Sequence, residues 1–469
     1  MRWSKYQKAI FKDVAGGEGH TVIEAVAGSG KTTTLLESLG HIPEGASWLL
    51  VAFNKRIAEE MRRRAVDSFD GDIRTLHSLG LKTVGSRLRN IKVENNKNRF
   101  LLDKIVGKNR NLWDLKSQVS KTVSLCKGYL VDGAEFIDHI MDNHGIDTCE
   151  IDRDLFVDYV QKTMEAAREE TRYVDFDDMI WFPHVFNLPV QRYHRVFIDE
   201  CQDLNNAQIA LALKAVKRNG RVTAFGDSNQ CIYAFTGASL HSMDNIRKKL
   251  DAKELDLSIS YRCPNLVVKE AQALVPHIQA RPGAPDGKVE KISLSKLHKQ
   301  AKPGCFILSR ANAPLIGLAL GFIRRSIPAV IQGRDIGQNL INLIKKSRRK
   351  SLDTFMSWLD KWEKREVARI RKKRGNTLYV TDKAACIRAL ADACHDLNDV
   401  KRKIKTLFED TDEHGKIVLS TVHKAKGLER DIVYMLMPTF KTHNQEERNI
   451  KYVAITRSAK ELYYVGAVK

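Results

Sequence analysis

Short apolar, strand-like runs alternate with helical patterns through much of this sequence, an order that predicts a parallel β-sheet connected by crossover helices. The first two runs cover residues 21–25 and 48–53, and each is followed by a helical pattern, over residues 32–39 and 55–65. Further runs of the same kind lie at 195–199, 221–226, 304–308, 417–420, 431–435 and 462–465. We therefore predict an α/β fold with parallel sheets.

Two stretches interrupt this alternation and read as mostly helical. The simplest division of the 469 residues is two parallel-sheet cores, each with one mainly helical insertion. On this division the first core comprises residues 1–85 and 176–250, with its insertion at 86–175. The second core comprises residues 251–333 and 416–469, with its insertion at 334–415.

A glycine-rich turn, Ala25-Val-Ala-Gly-Ser-Gly-Lys-Thr32, connects the first predicted strand to the first predicted helix. Glycines at positions 28 and 30 allow backbone N–H groups to approach a phosphate chain, and the following helix presents its positive end. Lys31 suits the β- and γ-phosphate oxygens, and the hydroxyl of Thr32 suits Mg²⁺. Ala25 stands where the common G-x-x-x-x-G-K-[ST] pattern has its first glycine, so the assignment depends on the strand–turn–helix context. The predicted ATP-binding positions are Ala27, Gly28, Ser29, Gly30, Lys31, Thr32 and Thr33.

An acidic pair, Asp199 and Glu200, ends the apolar run that starts at Val196. The carboxyl ends of parallel strands meet at one edge of a sheet, where ligands bind in open α/β folds. Asp199 is predicted to belong to the Mg²⁺ shell, and Glu200 to polarise the attacking water. Because a phosphate loop precedes this pair, we predict a nucleoside triphosphate hydrolase.

The amino-acid composition indicates which class of partner the protein binds and in which cellular compartment it lies. Lys and Arg number 78 against 57 Asp and Glu, a formal net charge of +21 that favours a polyanionic partner. The eight cysteines are scattered without a CxxC pair, which argues against a disulfide framework or zinc module and for a reducing compartment. No apolar run approaches the ~18 residues of a membrane span, and no signal peptide is visible, so we expect a cytoplasmic protein.

Eight further motifs, in order and nearly from end to end, resemble those of the superfamily 1 helicases of the UvrD/Rep type. They occupy residues 3–8, 52–55, 75–78, 175–178, 226–238, 261–264, 420–429 and 452–457. The resemblance implies two RecA-like motor cores and a DNA-stimulated ATPase that uses Mg²⁺. It also implies that Gln7 reads adenine, that Tyr261 stacks on adenine and that Glu429 meets the ribose.

Three more residues gain catalytic roles from the resemblance. Gln230 would sense the γ-phosphate and report it to the nucleic acid. Arg262 and Arg457 belong to the second core, so they would reach ATP only when the two cores close. There they would offset charge in the phosphoryl-transfer transition state.

A track for single-stranded DNA is implied as well. Its candidate residues are Phe53, Asn54, Thr75, His77, Phe235, Thr421 and His423. Phe235 stands where the family carries an aromatic side chain that stacks on a base, a contact that works with any base. For Phe53 a place in the hydrophobic core is an equally good interpretation.

The second insertion is short, some eighty residues, and strongly basic. Between Lys345 and Arg374 there are thirteen Lys or Arg residues and four Asp or Glu residues. Trp358 and Trp362 lie on one face of a predicted helix and are assigned to the core of the insertion. The cations, among them those at 371–374, are predicted to contact duplex phosphates, because such contacts need no sequence recognition.

These observations predict an ATP-dependent DNA helicase that moves 3′ to 5′ on single strands, a direction implied by the resemblance alone. One alternative is a translocase that strips proteins from DNA with little unwinding. Others are a non-motor ATP-dependent binding module and an enzyme acting on RNA. Expected partners are single-stranded and tailed duplex DNA and replication or repair proteins, with no membrane. The chain is expected to be monomeric and nucleoid-associated, or in the host cytoplasm if virus-encoded; replication, repair and recombination all stay open as pathways.

Overall fold

Two six-stranded parallel sheets organise the protein, one in each half of the chain. The structure is a computed structural model that describes residues 3–52, 55–64, 71–108, 112–149, 151–232, 242–372, 377–392, 394–408 and 413–466. The protein divides into two units, Met1–Ser258 and Ile259–Lys469. The predicted α/β fold with two parallel-sheet cores is thus confirmed.

The first unit contains the following elements in chain order: α1 (Lys5–Gly16), β1 (Thr21–Ala25), α2 (Lys31–Leu39), β2 (Trp48–Ala52), α3 (Lys55–Arg64), β3 (Gly71–Thr75), α4 (Leu76–Gly85), β4 (Lys92–Val93), α5 (Lys97–Ile105), α6 (Trp113–Tyr129), α7 (Ala134–Asn143), α8 (Arg153–Glu169), β5 (Tyr173–Val174), α9 (Phe176–Val185), β6 (Tyr193–Ile198), α10 (Asn206–Lys214), β7 (Val216–Gly226), α11 (Ser242–Leu250) and β8 (Lys253–Leu257).

The sheet of the first unit has the strand order β3-β2-β6-β7-β1-β8, and each neighbouring pair is parallel. Alternate residues of a strand enter hydrophobic clusters on opposite faces. In β2, Leu49 and Val51 belong to one cluster and Leu50 and Ala52 to the other. Both faces are therefore buried, as is usual for a parallel sheet. The carboxyl ends of β6, β7 and β1 lie side by side at one edge.

Helices α5–α8 occupy the segment predicted as the first helical insertion, and β4 and β5 pair near its two ends. Their core includes Val123, Ile140 and Val160, and it continues onto α4 and α9 through Val84 and Phe182. This core forms a cluster separate from the two that cover the sheet.

A buried ion-pair cluster also ties this insertion to α9. The Nζ atom of Lys97 lies 2.7 Å from Oδ2 of Asp178, and Nζ of Lys127 lies 2.7 Å from Oδ1 of the same carboxylate. Asp175 lies 3.5 Å from Lys127, and burial raises the pKa of Asp175 to about 6. Burial also opposes the charge of Lys127, but Asp178 and Asp175 outweigh it and raise the pKa of Lys127.

The second unit contains, in chain order, β9 (Ile259–Ser260), α12 (Asn265–Gln272), β10 (Gln279–Ala280), β11 (Lys288–Ile292), α13 (Leu294–Gln300), β12 (Phe306–Ser309), α14 (Ala313–Ile323), β13 (Ala329–Ile331), α15 (Arg334–Ser347), α16 (Leu352–Lys372), α17 (Leu378–Ala391), α18 (Leu397–Phe408), β14 (Ile417–Thr421), α19 (Val422–Ala425), β15 (Arg430–Leu436), α20 (Gln445–Ile455) and β16 (Ser458–Val465). Its sheet has the order β11-β16-β15-β12-β14-β13, with parallel pairs.

Helices α15–α18 form the segment predicted as the second insertion, and they share one hydrophobic cluster with the second sheet. Phe322 of α14 and Ile307 of β12 belong to the same cluster as Phe355 and Ile404 of the insertion. The Asp382 carboxylate of α17 also accepts hydrogen bonds from the N–H groups at the start of α14, at 3.0 and 2.7 Å. The insertion and the sheet are therefore packed as one body.

The tryptophan pair of the second insertion packs as predicted. The rings of Trp358 and Trp362 stack with centroids 6.2 Å apart. Trp362 is buried in the shared cluster, and Trp358 packs against it. The assignment of this pair to the core is confirmed.

Four sheet strands were not predicted from the sequence, and all four are edge strands. They are β3 and β8 in the first sheet and β11 and β13 in the second. An edge strand pairs on one side only, and β3, β8 and β11 carry charged residues in place of a continuous apolar run. The predicted boundary at residue 250 was wrong for the same reason, because β8 pairs with β1 and extends the first unit to Ser258.

All eight cysteines are free. Of the helices that the structure describes, none combines the length and apolar character needed to cross a bilayer.

Candidate nucleotide and nucleic-acid site

The predicted phosphate loop follows β1 and leads directly into α2, so its strand–turn–helix context is confirmed. Gly28 and Gly30 have φ angles of 71° and 75°, in the left-handed region that glycine adopts without a steric penalty. No side chain caps the N-terminus of α2, which starts at Lys31. Helix N-termini of this kind bind anions through their N–H groups and their dipole.

Lys31 is held by the predicted acidic pair. Its Nζ atom lies 2.6 Å from Oε2 of Glu200 and 3.9 Å from Oδ1 of Asp199. Burial opposes the charge of Lys31, but these two carboxylates outweigh it and raise the pKa of Lys31. Glu200 itself adopts a left-handed backbone, with φ 51° and ψ 42°, a conformation that is strained for a residue with a Cβ and recurs at functional sites.

A chain of hydrogen bonds connects Glu200 to Gln230. The amide of Gln202 donates to Oε2 of Glu200 at 2.6 Å, and its oxygen accepts from the N–H of Asp227 at 3.1 Å. Oδ2 of Asp227 in turn accepts from Nε2 of Gln230 at 2.6 Å. Four of the predicted catalytic or metal-binding residues, Lys31, Asp199, Glu200 and Gln230, are thereby brought into one network.

Three carboxyl groups in or beside this network have raised pKa values. Burial raises the pKa of Asp199 to about 7 although Lys31 opposes the shift, and burial raises that of Asp227 to about 6. Glu24 of β1 is affected in the same way, with a pKa of about 7 caused by burial and then by Asp227. Burial is the main cause of all three shifts, and a bound divalent cation would favour the ionised forms of these carboxylates.

The site fits a nucleotide phosphate chain in a second respect. The hydroxyl of Ser29 is buried and has no hydrogen-bond partner among the described residues. A buried polar group in that condition costs about 1–3 kcal/mol, and a phosphate oxygen would satisfy it. The described residues contain no group of three or more His, Cys, Asp or Glu suited to a metal. Mg²⁺ commonly takes only one or two protein ligands, so the oxygens of Thr32 and Asp199 are suitable donors.

Gln7, the predicted adenine contact, is anchored between two helices. Its Oε1 accepts from the N–H of Ser4 at 3.0 Å, which caps α1, and its Nε2 donates to the Thr34 hydroxyl of α2 at 3.0 Å. Gln7 therefore lies beside the helix that follows the phosphate loop. Its contact with adenine stays a prediction.

In the second unit, Arg262 contacts both Glu429 and the end of α20. Its Nε donates to the Glu429 carboxylate, and its Nη1 donates to the carbonyl oxygen of Thr456 at 3.1 Å. Tyr261 is exposed beside it in the chain. The predicted ribose contact of Glu429 stays a prediction, and in this structure its carboxylate balances an arginine.

Arg457 is only 1% exposed. Its guanidinium donates to the carbonyl oxygens of Val453 at 2.9 Å and Leu428 at 3.0 Å. The side chain thus supports the turn before β15. A contact between Arg457 and ATP stays a prediction.

Two of the predicted contacts with single-stranded DNA, Thr75 and His77, lie at the start of α4. The Thr75 hydroxyl accepts from the N–H of Ser78 at 3.2 Å and caps the helix. The His77 ring meets Phe176 edge-on, with centroids 5.6 Å apart, and burial lowers the pKa of His77. His77 is therefore neutral near pH 7 and offers hydrogen bonds rather than charge.

The other residues predicted to contact single-stranded DNA fall into two groups. Thr421, at the end of β14, and His423, within α19, belong to the second unit. Phe53, Asn54 and Phe235 lie outside the described residues, as do Lys373 and Arg374 of the basic run.

Four residues of the site were missed by sequence reasoning: Glu24, Gln202, Asp227 and Phe176. Each carried a usable signal. Glu24 is a carboxylate within an otherwise uncharged strand, and Gln202 and Asp227 lie inside motifs of which other members were selected. Phe176 lies in a motif that was interpreted only through its acids, yet its ring is 51% exposed.

Comparison with known protein families and proteins gives two family matches. Residues 4–251 match the family model described as UvrD/REP helicase N-terminal domain. Residues 416–465 match the model described as UvrD-like helicase C-terminal domain.

Among similar proteins, the ATP-dependent DNA helicase PcrA of Leuconostoc citreum is 24% identical over 326 residues, covering 62% of this chain and 42% of the relative. PcrA of Bacillus subtilis (strain 168) is 26% identical over 290 residues, covering 55% and 38%. The ATP-dependent DNA helicase Rep of Buchnera aphidicola subsp. Baizongia pistaciae is 24% identical over 302 residues, covering 59% and 43%. The chain thus spans about two-fifths of the length of each of these relatives.

Proposed function

The chain belongs to the UvrD/Rep helicase family, and on that premise we propose that it is an ATP-dependent DNA helicase that moves 3′ to 5′ along single-stranded DNA and unwinds duplex. The observation that carries the proposal is the network that joins Lys31 to Glu200 and Glu200 to Gln230 through hydrogen bonds. A network of this kind can transmit a change at a bound phosphate chain to a segment that contacts nucleic acid.

Lys31 and Glu200 exchange partners in the proposed reaction. Before nucleotide binds they neutralise each other at 2.6 Å. When ATP occupies the phosphate loop, Lys31 turns to the phosphate oxygens, and Glu200 is released to accept a proton from the attacking water. Thr32 and Asp199 would hold Mg²⁺, which would neutralise charge on the phosphates when bound. Gln230 then responds to the γ-phosphate, and Arg262 and Arg457 are the proposed catalytic arginines.

A strand-displacement assay tests the proposal directly. DNA duplexes with a 3′ tail, a 5′ tail or blunt ends are mixed with the chain, with and without ATP, and with Lys31→Ala as the inactive control. We expect ATP-dependent displacement from the 3′-tailed duplex only. Displacement from the 5′-tailed duplex would contradict the polarity, and displacement by Lys31→Ala would contradict the assigned ATP site.

A second candidate is a translocase that strips proteins from single-stranded DNA with little unwinding. The shared hydrophobic cluster favours it, because an insertion packed as one body with its sheet cannot move independently against a duplex. The same preparations distinguish the two functions. ATP-dependent release of streptavidin from a 5′-biotinylated single strand, without strand displacement, would indicate the translocase.

The proposed setting follows from the same premise. We propose that the chain acts as a monomer on single-stranded and tailed duplex DNA in the cytoplasm, with replication or repair proteins as partners. Light scattering across a concentration series checks the monomer, since a mass that rises with concentration would contradict it.

Phe176 is proposed to stack on a base of the bound strand, because its exposed ring lies against His77. Replacing Phe176 by Ala should weaken binding to a dT oligonucleotide about tenfold, since base–aromatic stacking contributes ~1–3 kcal/mol. The matched control is Phe136→Ala, whose side chain is 58% exposed in α7 of the first insertion. Fluorescence anisotropy measures both affinities, and equal losses in the two variants would rule out a specific role for Phe176.

The exposed cations Arg348, Arg349 and Lys350, which follow α15, are proposed to contact duplex phosphates. Replacing all three by Ala should weaken binding to tailed duplex and flatten its salt dependence, by ~0.9 in log–log slope for each phosphate that is no longer neutralised. The matched control replaces three exposed lysines of the same unit outside the insertion: Lys291, Lys299 and Lys302. Titrations at several salt concentrations give the slopes. Identical slopes for the two triple variants would show that the run is only a solvated surface.

A further inference from the structure

Glu24 is the one charged side chain of β1, a strand that lies between β7 and β8 and leads into the phosphate loop. A carboxyl group at such a place costs free energy unless polar partners hold it. The ATP-site roles assigned above make no use of it. Its environment therefore calls for an explanation.

The partner of Glu24 is Ser228. Oε1 of Glu24 accepts two hydrogen bonds from this residue, from its N–H at 2.9 Å and from its hydroxyl at 2.9 Å. Ser228 starts the 3-10 turn Ser228–Gln230. Through these hydrogen bonds, β1, which precedes the phosphate loop, holds the turn that contains Gln230.

Asp227 holds the other side of the same turn. Its Oδ1 accepts from the N–H of Asn229 at 3.0 Å, and its Oδ2 accepts from Nε2 of Gln230 at 2.6 Å. The turn is thus fixed by two carboxyl groups, one from β1 and one that follows the end of β7. Of these two, Glu24 is the one that belongs to the strand continuing into the phosphate loop.

We propose that Glu24 is a positioning residue that couples the phosphate loop to the turn Ser228–Gln230. The inference rests on the proposed function, because it assigns a role within an ATP-driven motor. A movement of the loop on nucleotide binding shifts the end of β1, and the Glu24 carboxyl carries Ser228 with it. Gln230 lies two residues further along, so its position follows the occupancy of the loop.

The test compares Glu24→Leu, which removes the acceptor, with Glu24→Gln, which keeps an oxygen for the Ser228 N–H. The matched control is Glu254→Leu on the neighbouring strand β8, a carboxylate that pairs with Arg247. Steady-state ATPase is measured with and without saturating dT oligonucleotide. For Glu24→Leu we expect stimulation by DNA to fall about tenfold through kcat, with the KM for ATP changing less than about twofold. Glu24→Gln should keep most of the stimulation, and Glu254→Leu all of it.

A double-mutant cycle with Ser228→Ala separates coupling from general damage to the fold. If Glu24 acts through Ser228, the two losses are not additive, and the double variant resembles Glu24→Leu alone. Additive losses, or full stimulation in Glu24→Leu, would overturn the assignment. A wild-type chain that DNA does not stimulate would overturn both the assignment and the proposed function. A stimulated wild type with an equally stimulated Glu24→Leu variant would overturn the assignment only.

Discussion

Replacing Lys31 by alanine is expected to lower ATP turnover by about a hundred- to a thousandfold. Lys31 contacts both carboxylates of the acidic pair and starts the helix at the end of the phosphate loop. Its removal deletes the cation that we propose stabilises charge on the phosphates as the bond to the γ-phosphate breaks, and loss of one such group has an effect of this size in other enzymes. ATP binding should weaken as well, because Lys31 is proposed to contact the phosphates before the reaction begins.

Glu200→Gln should lower turnover to a similar extent but leave ATP binding intact or tighter. The glutamine cannot accept a proton from water, yet it no longer competes with the phosphates for the charge of Lys31. Steady-state ATPase and titration with a fluorescent ATP analogue give the two quantities, with Lys162→Ala on the surface of α8 as the control. Normal turnover in either variant would contradict the assigned site. Parallel loss of ATP binding in both would contradict the proposed exchange of partners.

The second large effect concerns folding. Asp178→Ala should lower the free energy of unfolding by about 3–5 kcal/mol, because it leaves Lys97 and Lys127 buried without the carboxylate that each contacts at 2.7 Å. Urea denaturation of the protein, followed through a signal from the first unit, measures this change in the free energy of unfolding. Burial opposes the charge of both lysines, and the Asp178 carboxylate that the variant removes is the main group that favours their charged forms.

The control for this prediction is a solvent-exposed ion pair in the first insertion. Lys162 lies 2.7 Å from Asp158 one turn away on α8, with both side chains exposed. Asp158→Ala should cost less than about 0.5 kcal/mol, because exposed pairs of this spacing contribute little. If Asp178→Ala destabilises the chain no more than Asp158→Ala does, the buried cluster is not a stabilising tie.

The sequence was sufficient to predict the two parallel sheets and the residues that meet where the loop after β1 approaches the end of β6. Interior strands are buried on both faces, so they appear as continuous apolar runs, and the loop after β1 has a distinctive glycine spacing. Lys31, Asp199 and Glu200 could be selected because each follows directly from such a strand or loop. Edge strands such as β8 could not, because burial on one side leaves no such run.

The hydrogen-bond network could not be predicted from the sequence for a different reason. Glu24 and Ser228 are 204 residues apart in the chain, and they meet only because β1 and β7 are neighbours in the sheet. Strand order of this kind is a property of the topology and not of local spacing. The burial of Arg457 beneath backbone carbonyls was equally invisible, since an arginine in a motif gives no sign of its exposure.

The shared hydrophobic cluster of the second unit bears on how such a chain can be altered by evolution or by design. The first insertion has a core of its own and could be lengthened, shortened or exchanged together with α4 and α9. The second insertion could not be exchanged as a unit, because its removal would expose Phe322 and the rest of the apolar face of α14. Its removal would also take away Asp382, whose carboxylate caps that helix. A chimaera that carries a longer domain at this position would have to supply a replacement for that buried surface. Without one, the second unit would expose an apolar surface that promotes aggregation.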